Sequence, residues 1–139
     1  MNKHIFRALP LTLAGLMLSG TGFSESREST SIMRECRSLI STLNRLVKEK
    51  PHDVCAGDIA NVSNYVEKAF FQLNKGEIVL SLAFMKYAQL ELADISSTRS
   101  YCTHMAIEVK PALSRIKVLG NQLEELAKSG EKLNGANSL

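Results

Sequence analysis

No stretch of the 139 residues stays apolar for the roughly 20 positions that a membrane-spanning helix needs. The nearest approach, Ala8 to Leu18, is shorter and is softened by Pro10, Thr12 and Gly15. An excess of one charge is also lacking: 17 Lys and Arg stand against 14 Asp and Glu, and the basic residues form no run that would track phosphates. Nucleic acid is therefore not an expected partner. The eight glycines are scattered instead of forming a phosphate-binding loop, and neither Gly-x-Ser-x-Gly nor His-Glu-x-x-His occurs. Glu124 and Glu125 are adjacent, as paired catalytic carboxylates rarely are, and read as part of a solvated face. Haem attachment would need two cysteines and a histidine in one motif, which is absent. These absences exclude the common hydrolytic, phosphate-binding and haem classes, so no catalysis, cofactor or metal is expected. No internal repeat is visible either.

What is present begins with an address. Lys3, His4 and Arg7 precede the apolar run, and Ser19 to Ser24 is a patch of small residues around Phe23, which is the pattern of a cleaved secretory signal peptide. The run is too short to favour a membrane anchor, and no cysteine follows it where a bacterial lipoprotein would be acylated. Cleavage is expected after Ser24, or else after Gly22. Removing 24 residues leaves 115 of the 139, enough for one compact core. Lys3 and Arg7 leave with them, so the mature balance is 15 basic against 14 acidic side chains. The expected organisation is a signal peptide over 1–24, a flexible leader over 25–30, a helical domain over 31–128 and a disordered tail over 129–139. The mature chain is then expected in the periplasm or outside the cell, with no membrane span.

The domain reads as four helices. From Tyr101 to Leu126, the residues Cys102, Met105, Val109, Ala112, Ile116, Leu119, Leu123 and Leu126 recur at alternating steps of three and four, so one stripe is buried. Pro111 falls inside this segment, but the phase continues past it, which predicts a kink and not a stop. A first helix over Ser31 to Glu49 has Ile32, Cys36, Leu39, Ile40, Leu43, Leu46 and Val47 on one face, and Pro51 ends it. Asp58 is a suitable cap for a second, Ile59 to Asn74. Gly76 can supply the left-handed residue of the short turn that follows, which makes the second and third helices antiparallel neighbours. The third, Ile78 to Ile95, is apolar on almost every side and is expected at the centre of the domain. The fold class is thus all-α, an up-and-down bundle of four helices.

Alternating directions also select a disulfide. Cys55, before the second helix, and Cys102, near the start of the fourth, lie at one end. Cys36 lies 14 residues before Lys50, about 20 Å away along a helix. A disulfide needs α-carbons within about 7 Å. Cys55 to Cys102 is therefore the expected bridge, and Cys36 is a buried free thiol unless it joins two copies. The same topology puts Met33 and His104 at opposite ends, which removes the simplest pair of haem ligands.

Two functional readings follow. In the first, a small exported helical protein binds another envelope or secreted protein as an inhibitor, immunity factor, secretion accessory or chaperone-like module. The long fourth helix would offer Leu119, Leu123 and Leu126 as partner surface, for a heterologous protein or a homodimer, unless the first helix covers them. In the second, His52, Cys55, Cys102 and His104 make one end of the bundle a ligand or metal carrier. That set is disfavoured because residues two apart on an α-helix point in different directions, with Cys102 inward and His104 outward.

Overall fold

The computed structural model describes residues 21–136, with side chains described over 27–130. The signal-peptide assignment therefore lies mostly outside the described residues, as do the last three of the expected tail. Within them the chain forms four α-helices and one 3-10 turn. These are α1 (Thr21–Glu49), α2 (Ala56–Asn74), α3 (Ile78–Ser97), the 3-10 turn (Ser100–Met105) and α4 (Ala106–Ala136). Each helix packs on the next and α1 returns against α4, closing an up-and-down bundle.

The core follows the expected spacing. Ile32, Cys36, Leu39, Leu43 and Leu46 of α1 are buried, as are Ile59, Val62, Val66, Ala69 and Leu73 of α2. Cys102 and Met105 of the turn continue into Val109, Ala112, Ile116, Leu119, Leu123 and Leu126 of α4. Steps alternating between three and four average 3.5 residues, which suits nearly aligned helices with interdigitating side chains. Two hydroxyls enter this core and both are satisfied: Ser81 donates to the Ala69 carbonyl at 2.7 Å, and Ser63 to Asn44 Oδ1 at 2.8 Å.

Local chemistry sets the ends. Gly76, at φ +79°, closes α2 with its own N–H on the Leu73 carbonyl and that of Glu77 on the Gln72 carbonyl, each at 2.9 Å. That pair of bonds is the Schellman motif, and it calls for a left-handed residue. α2 begins at Ala56, ahead of the Asp58 cap the sequence suggests, because Asp53 Oδ1 accepts the Cys55 N–H at 2.8 Å and starts the turn earlier. α4 runs through Pro111, whose missing N–H leaves the Ile107 carbonyl without its donor. Both residues are exposed, so water can take that bond.

Three expectations need correction. α1 starts at Thr21, so residues 25–30 are helical and not a flexible leader. No glycine or proline interrupts the chain from Phe23 to Lys50, and Glu and Arg sustain a helix that packs along α4. At the other end α4 extends to Ala136, well into the segment read as a tail. α3 is not central: it buries one stripe, Ser81, Met85, Ala88, Leu92 and Ile95, while Val79, Leu80, Tyr87 and Leu90 face outward.

Candidate functional site

Two places in the bundle carry chemistry beyond core packing. The first is the pole where the α1–α2 loop meets the 3-10 turn. The Cys55–Cys102 disulfide forms there, with α-carbons 5.8 Å apart, and both cysteines are wholly buried. Cys36 remains a free, buried thiol, and burial pushes its pKa up to about 12.

Ion pairs surround the bridge. Asp53 Oδ2 lies 2.6 Å from His104 Nε2, while its other oxygen holds the Cys55 N–H. That N–H, then His104, lower the Asp53 pKa from its ordinary 3.8. Arg99 links Asp58 and Glu91, each at 2.8 Å, and the Tyr101 hydroxyl donates to the same Asp58 oxygen at 3.0 Å. Lys50 pairs with Glu108, and this bond raises the Lys50 pKa. These contacts join the α1–α2 loop and α2 to the end of α3 and the start of α4.

Of the four residues in the sequence's carrier set, the structure brings Cys55 and His104 together, while Cys102 joins them only through its bond to Cys55. Cys102 points inward and His104 outward, as their spacing predicts, and His104 approaches the bridge from outside by pairing with Asp53 of the α1–α2 loop. His52 stands exposed in the loop and is not among the clustered ligand atoms. Its neighbour Asp53 takes that place: the Asp53 carboxylate, Cys55 Sγ and His104 ring lie within 4.8 Å of one another. Asp53 escaped the sequence reading. Nothing in the loop's sequence marks Asp53 over His52, because the choice depends on how the loop meets the 3-10 turn.

The second place is the outer face of α3. Val79 is 65% exposed, Leu90 64%, Tyr87 55% and Leu80 48%, all on one side of the helix. Toward α2 this face meets an aromatic cluster: Tyr65 and Phe84 lie 5.7 and 6.5 Å from Tyr87, and Lys68 sits over the rings of Tyr65 and Phe84. Toward α4 it borders a groove of about 300 Å³ lined by Lys86, Gln89, Leu90, Gly120, Asn121 and Glu124.

Leu119, Leu123 and Leu126, offered by the sequence as partner surface unless the first helix covers them, are 2%, 0% and 2% exposed. They belong to the core. Long α1 packs along α4, and Arg115 ties the two helices through Glu35 at 3.2 Å and Ser38 at 2.8 Å. Searches of family models, curated proteins and solved structures find no match to this chain. No helix among the described residues is long and apolar enough to cross a membrane.

Proposed function

We propose that this chain is an exported four-helix protein that works by binding another envelope or secreted protein, with the outer face of α3 as its contact surface. The observation that carries the reading is the set of exposed apolar residues on that face, Val79, Leu80, Tyr87 and Leu90. Scattered exposed leucines are ordinary, whereas four on one helical face with aromatic neighbours resemble the centre of an interface. The bridge supports export, because disulfides persist in oxidising compartments. The basic, apolar and small-residue pattern of residues 1–24 supports it from the sequence.

The charges beside the face favour a partner of opposite sign. Lys68 borders it on the α2 side and Lys86 on the α4 side, and among the described residues neither carries an ion pair. An amphipathic helix with an apolar stripe flanked by acidic residues fits such a surface. Photo-crosslinking residues placed at 79 and 90, with one at the exposed position 45 of α1 as control, test this in cells. Adducts to a second protein at 79 and 90 and none at 45 are expected. An adduct of twice the chain's mass would make the surface a homodimer contact, and equal labelling at 45 would refute it as a specific surface.

A further inference from the structure

We propose that the disulfide pole has a second, reduced state in which Cys55, Cys102, His104 and Asp53 together bind one zinc-class divalent cation. This goes beyond partner binding and does not depend on it. The ligand types are right: two thiolates, an imidazole and a carboxylate form a set that favours zinc over magnesium or calcium. Three of the four ligands already converge, and the fourth is tied to one of them. The Asp53 carboxylate, Cys55 Sγ and His104 ring already lie within 4.8 Å of one another, and Cys102 Sγ is bonded to Cys55.

A tetrahedral ion with bonds of about 2.0 to 2.3 Å sets its ligand atoms about 3.3 to 3.8 Å apart. The carboxylate and imidazole, now 2.6 Å apart, would open slightly to admit it. The sulfurs would separate from a covalent bond of about 2.0 Å to about 3.8 Å. Both movements are small beside the 5.8 Å between the cysteine α-carbons. His104 is exposed, which gives the ion a path in. Two thiolates and a carboxylate outweigh a divalent ion by one negative charge.

The chemistry balances. A dithiol reductant passes two electrons to the bridge and becomes its own disulfide, leaving two cysteine thiols. Binding the ion releases their two protons to solvent, and His104 coordinates as the neutral imidazole. Reoxidation reverses the exchange and expels the ion, so the bridge acts as a redox gate on the site.

Cobalt(II) titration of the full chain tests the proposal, in a Cys36→Ala background so that only two thiols remain. If that variant misfolds, wild type serves, because the Cys36 thiol holds its proton at neutral pH. After anaerobic reduction, one equivalent of cobalt should give thiolate charge-transfer bands and the strong visible bands of a tetrahedral ion. The oxidised chain should give none. Asp53→Asn and His104→Ala should each weaken binding at least about tenfold, the lower cost of losing even an outer-shell partner. His52→Ala should change nothing. Should the reduced chain unfold, zinc should restore its far-UV signal. Absent cobalt bands, failure of zinc to refold an unfolded reduced chain, or wild-type affinity in both ligand variants would overturn the site.

Discussion

Removing the Cys55–Cys102 bridge is the perturbation whose magnitude follows most directly from the structure. The bridge spans 47 residues of sequence and encloses both α2 and α3. In the chain-entropy model, releasing a loop of that length restores about 4 kcal/mol of freedom to the unfolded chain. A domain of this size has a total stability of about 5 to 15 kcal/mol, so the loss is a large share of it. The double variant Cys55→Ala/Cys102→Ala should keep the fold, because the cysteines contribute little packing volume and the Asp53–His104 and Arg99–Asp58 contacts remain. At about 4 °C per kcal/mol, the melting temperature should fall by roughly 15 °C. Urea unfolding followed by far-UV circular dichroism should show a lower midpoint and a steeper slope, since the freed unfolded chain exposes more surface. A loss under about 1 kcal/mol with an unchanged slope would refute the reasoning, because the bridge would then not be restricting the unfolded state.

Further outcomes follow from burial and charge. Leu123→Asp places a carboxylate in the core and should unfold the monomer, whereas Leu90→Asp, on the α3 surface, should change stability by no more than about 0.5 kcal/mol; thermal melts of the two variants decide it. The Asp53 pKa is lowered by folding, so its stabilising contribution is present above about pH 4, the unfolded value, and is lost as pH falls through the lower folded one. Asp53→Asn should therefore remove part of the acid-induced drop in melting temperature, and an identical pH profile in the variant would count against the pairing. Under non-reducing conditions a thiol-reactive mass tag should add nothing to the native chain and one equivalent after denaturation, at Cys36.

The bundle was legible because burial imposes a period that composition cannot hide. Cys36, Leu39, Leu43 and Leu46 could share a face only on a helix, and the same holds for the stripe from Cys102 to Leu126. The bridge was legible for a related reason: short links force neighbouring helices to run in opposite directions, which leaves one pair of cysteines at one pole. α3 was misread for a physical reason as well. An all-round apolar helix suits either a buried position or an outer face whose apolar residues stay exposed, and the two patterns are identical in sequence. Likewise, the length of α4 could not show whether its leucines were covered, since that depended on how far α1 extends.

Local rules written in the chain determined the helices, their inner faces and the turn at Gly76, because hydrophobic period and backbone preference act over a few residues. Tertiary structure alone decided that Asp53 rather than His52 stands beside His104 and the sulfurs, and that Val79 and Leu90 face outward. Those outcomes depend on where separate segments meet, and spacing along one segment carries no information about the approach of another.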